Sequence, residues 1–304
     1  MERVATYSHQ NQLVQYMMRT QSKVATAQIE ASTGLKSTDY KGIADDSGRL
    51  VNLESQYRRS ERYVDEGEVV NGRIQTMYDA VGGMTDLIGR LRSLTASLQG
   101  SAATAAEGVQ EEVAGMMQEF ADLMNTRLEG RYLFAGAQTG TQPVTLDSAT
   151  YTPITTVPSS ADTSYYQGDD GVAYFQASDE VVIEYGITAN DPAFEQALRA
   201  FNIVANMSVD PLDTDALAEA DDLAASASDG IVVVQSKLGV ASGTLERTID
   251  RHLDLQLVLE TQVDDIRSID LAEASARLST LEASLEATMS LMNILQKNNL
   301  SDLL

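Results

Sequence analysis

Four pairs of adjacent aspartates, Asp45–Asp46, Asp169–Asp170, Asp221–Asp222 and Asp264–Asp265, are residues of this chain whose type and spacing could do chemistry. Such a pair can divide acid and base roles, or hold a divalent cation, when a pocket shifts the pKa of one member. These pairs stand in polar loops or on helix faces, where solvated charge is the simpler reading. The stretch "GDDG" at 168–171 has carboxylates enough for calcium, but it lacks EF-hand spacing and reads as a β-turn. Arg58, Arg59 and Arg62 form a small basic cluster, explained more simply by a salt-bridged helix face than by an anion site. The only histidines are His9 and His252, and there is no cysteine, which excludes disulfides, thiol catalysis and cysteine zinc sites. Nucleotide-binding, zinc-protease and serine-hydrolase motifs are all missing. The expectation is a protein that is not an enzyme, with no catalytic residue, no cofactor and no metal.

Charge narrows the partners. The 304 residues carry a net charge of -24, unevenly spread. Residues 132–236 hold 16 acids and one base, Arg199, whereas the two ends are nearly balanced. An acidic surface of this strength repels nucleic acid and anionic membranes. No apolar run approaches membrane-spanning length, so no membrane insertion is expected. The start, "MERVATYSHQ", lacks the basic and apolar segments of a signal peptide, which points to a cytoplasmic protein or to export by another route.

The elements that would position any site are helical at both ends. Residues 9–33 read as a helix with Leu13, Met17, Thr20, Val24 and Ala27 on one stripe, stopped by Gly34. A polar loop follows at 35–48. From about 49 to 100, Val70, Ile74, Met77, Val81, Met84, Ile88 and Leu91 alternate four and three residues apart, the seam of a coiled coil. Several glycines interrupt that helix, each costing about 1 kcal/mol against alanine, and close backbone packing is one reason to keep them. The pattern breaks near residue 100. A third helix covers 106–129, with Val109, Val113, Met116, Phe120 and Leu123 inward, and pairs with the second as an antiparallel hairpin. Residues 136–190, rich in Pro, Thr, Ser and Gly, read as a small β-rich insertion with strands at "VAYFQA" and "VVIEYGI".

Helix returns at 191–206, capped by Asn190 or Asp191 with Pro192 early. A long helix at 213–267 carries Leu238, Ala241, Leu245, Thr248, His252, Leu255, Leu259, Gln262, Ile266 and, just beyond it, Ile269 on one seam, which gives His252 a packing role. Asp270 and Glu273 can form a capping box for a last helix, 271–297, striped by Leu278, Leu281, Leu285, Met292 and Leu295. A stripe on an isolated helix must be buried against something. The terminal helices can therefore pair with each other, with other subunits, or both. The fold class expected is mainly α with a small β-rich insertion: an elongated, antiparallel, coiled-coil-like bundle built from both chain ends.

One stretch stands apart. "LEGRYLFAGAQTGTQPV", 128–144, sets Tyr132, Leu133 and Phe134 between Gly130 and Gly136 where the helix gives out. Together with "YYQGDDG" and "ITANDPAFEQALRAF", it resembles the hook-associated protein 3 group, the hook–filament junction proteins, within the flagellin superfamily. "STGLKSTDYKGIADDSGRLVNLE" near the start and "IDLAEASARLSTLEASLEATMSLMNILQKNNLSDLL" at the end resemble the superfamily's terminal patterns. The resemblance implies an adapter at the hook–filament junction on which flagellin assembles. It implies an extracellular place in the flagellum, reached through the flagellar export apparatus with a chaperone and without a cleaved signal peptide. The implied partners are further copies of the chain in a helical layer, the other junction protein, and flagellin. The implied division is 1–40 with 270–304 as the inner, polymer-core part, 41–135 with 191–269 as a helical bundle, and 136–190 as the outer insertion. Leu13, Met17, Val24, Leu278, Leu281, Leu285, Met292 and Leu295 become candidate subunit-packing residues. Gly130, Tyr132, Leu133, Phe134 and Gly136 become candidate domain-junction residues, with Gly130 ending the third helix. A flagellin-type filament subunit and a soluble coiled-coil binding protein are the alternatives.

Overall fold

The computed structural model describes residues 2–98, 103–147 and 149–301, with side chains described for 11–98, 105–147 and 149–294. The chain is mainly α. Its helices are α1 (Glu2–Thr33), α2 (Ser47–Leu98), α3 (Ala103–Met124), α4 (Pro192–Asn206), α5 (Thr214–Arg267) and α6 (Leu271–Ser301). Two antiparallel two-stranded sheets are formed by β1 (Arg127–Leu128) with β2 (Arg131–Tyr132), and by β3 (Tyr174–Gln176) with β4 (Val182–Glu184). The break expected near residue 100 lies outside the described residues. The chain divides into two compact units, residues 61–253 and residues 1–60 with 254–304.

The 61–253 unit holds the larger core. All seven residues of the α2 seam are buried, from Val70 through Ile74, Met77, Val81, Met84 and Ile88 to Leu91. They share one cluster with Val113, Met116 and Phe120 of α3, Phe194 and Phe201 of α4, and Ile231, Leu238 and Leu245 of α5. Each such side chain contributes about 1.5–3 kcal/mol by leaving water, so the 4-3 spacing of the sequence is a direct record of this core. The N-terminal half of α5 presents Ala216, Ala220, Ala224 and Ala227 inward, small residues that let its neighbours approach. The same reason holds on α2 for Gly83, where an added Cβ would sit 3.1 Å from Leu123 Cδ1, but Gly72 and Gly89 face open space. Asp191 caps α4 by accepting the Ala193 N–H, and Pro192 opens the helix. His252 packs as its seam position suggests: half-buried, its ring 5.1 Å from that of Tyr63 and its Nε2 2.9 Å from the Ala177 carbonyl.

The small β insertion is present: β3 and β4 pair within 136–190, and side-chain-to-backbone bonds with a few buried aromatics hold the irregular stretches around them. Two sequence expectations need correction. α3 stops at Met124, not near 129, because residues 127–132 form the β1–β2 hairpin instead. Leu255 is exposed. The inward position there belongs to Gln256, whose Nε2 reaches Ser60 Oγ at 3.4 Å.

In the other unit, α1 packs along α6. Gly34, with φ of 72°, ends α1, and its N–H returns to the Glu30 carbonyl at 2.9 Å. The chain then pairs with the α5–α6 connection: Lys36 N–H to Arg267 O at 2.7 Å and Ile269 N–H to Gly34 O at 2.9 Å. Asp270 starts α6 by accepting the N–H groups of Ala272 and Glu273 at 2.8 and 3.4 Å. A small core of Leu50, Leu53, Leu259 and Ile266 joins α2 to α5 within this unit. The loop expected at 35–48 contains a 3-10 turn at Tyr40–Ile43, capped by Asp39 on the Gly42 N–H; this bond holds the Asp39 carboxyl below its ordinary pKa.

Candidate functional site

The terminal helix pair is the first candidate surface. Gln28 Nε2 lies 3.4 Å from Glu282 Oε1, and Arg277 lies 3.8 Å from Glu30. Together with the Gly34–Ile269 bond, these contacts fix α1 and α6 as antiparallel. Thr20, Val24 and Ala27 of α1 are buried, as are Ala274 and Thr288 of α6. Of the residues singled out by spacing, Val24 is buried, whereas Leu13, Met17, Leu278, Leu281, Leu285 and Met292 are half-buried. The side chain of Leu295 lies outside the described residues. A second apolar set, off those stripes, faces outward: Tyr16, Met18 and Ile29 on α1, with Met289, Leu291 and Ile294 on α6. Apolar residues on two faces of a helix were the signal for it. One face is covered within the chain, and the other remains open to solvent.

The second candidate is the turn cluster after α3, in the 61–253 unit. Glu129 and Gly130 both have positive φ, 52° and 80°, the type I′ geometry of a two-residue hairpin. Gly130 is thus the second turn residue of β1–β2, rather than the helix stop. Arg73 lies 3.4 Å from Glu129, and the Arg127 guanidinium sits 4.7 Å above the Tyr132 ring. Tyr132 and Leu133 are half-buried, and Phe134 is fully buried. The Phe134 ring meets Phe194 of α4 edge-on at 6.0 Å, and its carbonyl accepts the Ala189 N–H at 2.9 Å.

The stretches 130–136 and 165–171, far apart in sequence, meet here. Asp169 N–H donates to the Ala135 carbonyl at 3.3 Å. Its carboxylate accepts the N–H groups of Ala137 and Gly171 at 2.7 and 3.0 Å. Gly136, with φ of 68°, passes so close that an added Cβ would lie 2.2 Å from the Asp169 carbonyl oxygen. Tyr166 donates to that same carbonyl at 2.6 Å; burial, then the nearby Asp169, pushes its phenol up to about 12. Burial likewise raises Tyr165, whose hydroxyl donates to Ala189 O at 3.0 Å. "GDDG" therefore reads as a built turn whose aspartate binds backbone. Among the described residues, no group of three or more His, Asp or Glu is placed to hold a metal ion. The other acidic pairs do not converge either: Asp221 pairs with Arg92 at 3.3 Å, and Asp264 and Asp265 lie exposed on α5.

A buried polar clasp was not anticipated. Glu195 of α4, 5 % exposed, and Arg199, 13 % exposed, approach to 3.1 Å. Glu195 also accepts the Asp162 N–H at 3.1 Å, and Glu219 of α5 accepts from Ser159. The lone base of the acidic middle region thus fastens the 152–162 loop to the helices. Its isolation in the charge pattern was the available clue.

Among the described residues no helix is long and apolar enough to cross a membrane. No curated protein matches the chain in sequence. Solved structures do match in fold. A protein of Vibrio parahaemolyticus assigned to the flagellar hook-associated proteins superposes with a TM-score of 0.59 at 15% identity, over 76% of this chain and 99% of its own. FlgL of Bacillus cereus gives 0.55 at 16%, over 71% and 99%. The flagellar hook-associated protein 3 of Legionella pneumophila gives 0.54 at 12%, also over 71% and 99%. The model of the bacterial flagellin N-terminal helical region matches residues 4–139, and that of the C-terminal helical region matches 222–304. With both terminal regions of the family present and most of its length matched, the chain belongs to the bacterial flagellin family and is a structural protein of the flagellum.

Proposed function

We propose that this chain is the adapter at the hook–filament junction on which flagellin assembles. The observation that supports this reading is the turn cluster: the stretches 130–136 and 165–171, by which the sequence resembles the junction group, bond to each other around Gly136 and Asp169. The likeness in fold to three hook-associated proteins, each covered over 99% of its length, points the same way. In this reading, copies of the chain form a helical layer through α1 and α6, using the outward apolar set together with Leu13, Met17, Leu278, Leu281, Leu285, Met292 and Leu295, while Val24, already buried, serves packing within the chain. One axial face of the layer meets the other junction protein and the opposite face meets flagellin. The three-part division, with 136–190 outermost and Gly130 to Gly136 as the domain junction, belongs to the same proposal. So does delivery outside the cell by the flagellar export apparatus and a chaperone.

The test is a clean deletion, with electron microscopy of the cells and an assay of flagellin in the medium. Intact hooks without filaments, and flagellin lost to the medium, are expected. Normal filaments would overturn the reading. The flagellin-family matches at both ends favour a second reading, a filament subunit. Purified protein that grows long filaments by itself would establish that one instead.

A further inference from the structure

Both edges of the β3–β4 sheet are open, and each runs beside a groove. In an antiparallel ladder, hydrogen-bonded and non-bonded pairs alternate. Tyr185 N–H donates to Ala173 O at 3.0 Å and Ala177 N–H to Val181 O at 2.8 Å. With Phe175 opposite Ile183, residues 173, 175 and 177 therefore turn their peptide groups toward β4. The peptide groups of Tyr174 and Gln176 point outward from β3, and those of Val182 and Glu184 outward from β4. Beside β3 lies a groove of about 730 Å³, whose wall includes Asp65, Glu66, Val69 and Arg73 of α2, with Arg131. Beside β4 lies another, of about 690 Å³, whose wall includes Val233, Lys237 and Val240 of α5. Large apolar side chains along both are open to solvent; Tyr174 and Val240 are each 69% exposed.

An open edge strand beside an apolar wall is a template for another strand. Charge selects which strand. The β3 groove carries the exposed Arg131 together with Asp65 and Glu66, while its Arg73 is already paired with Glu129. The β4 groove carries Glu184 and Lys237. The two are complementary in sign: Glu184 suits Arg131, and Lys237 suits the α2 carboxylates. We propose that β4 of one copy of this chain adds to β3 of the next, so that successive hairpins join in one antiparallel sheet. Copies in the same orientation preserve the antiparallel sense, because β3 and β4 already run opposite ways. The contact is heterologous, so it repeats rather than closes. Strands of three residues supply few hydrogen bonds. The contact is therefore weak between two free copies and effective where many copies are held side by side. This inference rests on the proposed layer of repeating copies, which the deletion tests separately.

The absence of cysteine makes the test clean. Full-length Tyr174→Cys and Val182→Cys proteins, the second carrying a size tag, are mixed at high concentration under mild oxidation. The expected product is a disulfide heterodimer, well in excess of the homodimer that either protein forms alone. Adding Arg131→Glu to the Tyr174→Cys protein lowers the heterodimer by about tenfold, and Glu184→Arg in the partner restores it. All four positions are exposed, and helical circular dichroism checks that each variant is folded. Heterodimer no more abundant than that of Val182→Cys with Gln118→Cys, on an exposed position of α3, would overturn the proposal. So would equal homodimer from either variant alone. A failed cross-link alongside a filament-less deletion strain would remove the edge contact and leave the adapter reading standing.

Discussion

Gly130 and Gly136 form a matched pair that separates backbone strain from steric closure. Both sit at positive φ, 80° and 68°, so alanine at either carries the left-handed penalty, about 1–2 kcal/mol. They differ in what surrounds the absent Cβ. At Gly130 nothing lies within 4 Å, whereas at Gly136 the Asp169 carbonyl oxygen is 2.2 Å away and its carboxylate Oδ1 2.3 Å away. A carbon cannot approach an oxygen so closely, so Gly136→Ala must move the 168–171 turn. That movement breaks the bonds from Asp169 to Ala135 and Ala137, and each loss leaves a polar group short of its partner at about 1–3 kcal/mol. Gly130→Ala is expected to cost about 1–2 kcal/mol, and Gly136→Ala about 3–8 kcal/mol. Urea unfolding followed by tyrosine fluorescence reads this unit, because Tyr151 and Tyr165 are buried within it and the chain has no tryptophan. With an m-value of about 3 kcal/mol/M, the midpoints should fall by about 0.5 M and more than 1 M. Equal shifts would refute the argument, since strain alone would then account for both positions.

Phe134→Ala is expected to lose about 3–5 kcal/mol in the same assay, because its ring is fully buried against Phe194; a loss under about 1 kcal/mol would contradict this placement. Arg199→Met should destabilise by about 3 kcal/mol or more by leaving the buried Glu195 carboxylate without its cation, and adding Glu195→Gln should recover part of the loss; additive losses would contradict the coupling. Asp270→Ala should cost about 1 kcal/mol and speed amide exchange in the first turn of α6, with no effect on exchange in α4. Raised phenol pKa values mean that the folded chain holds these protons longer than the unfolded chain does. The Tyr166 contribution is therefore complete below pH 10 and lost as pH rises toward about 12. Tyrosinate absorbance should show a late class of phenols that titrates only as helical circular dichroism falls.

The helices were legible because burial repeats. Seven α2 residues from Val70 to Leu91 meet the core in turn, and no single exception could hide that period. The β1–β2 hairpin was not legible, since Arg127 to Gly130 continues the helical composition and Glu129 is an unusual occupant of a positive-φ position. Leu255 was misplaced because the seam changes phase. From His252 the inward set passes through Gln256 and Leu259 to Val263 and Ile266, and a heptad rule drifts about 20° per repeat on a straight helix. In the turn cluster, Tyr132 to Phe134 were identifiable as an apolar anchor between glycines. Asp169 as the group that closes on Gly136 was not, because the partner that brings the two stretches together is the backbone N–H of Ala137, 32 residues away, which leaves no periodic trace. The outward apolar set on α1 and α6 was blurred for a related reason: a single apolar stripe marks one face of a helix, and these helices have two.

The pairing of α1 with α6 also sets an order of events on the ribosome. Gln28 and Glu282, which meet at 3.4 Å, are separated by 254 positions in sequence. Residues 61–253 are contiguous and can collapse as soon as they emerge, since their contacts close shorter loops. The α1–α6 seam has no such option. While the rest of the chain is made, α1 carries an uncovered apolar face, which is the kind of surface that aggregates or recruits a holding factor. Emergence of α6 is thus the step that permits this seam to form, and any factor that occupies α6 first would keep α1 waiting.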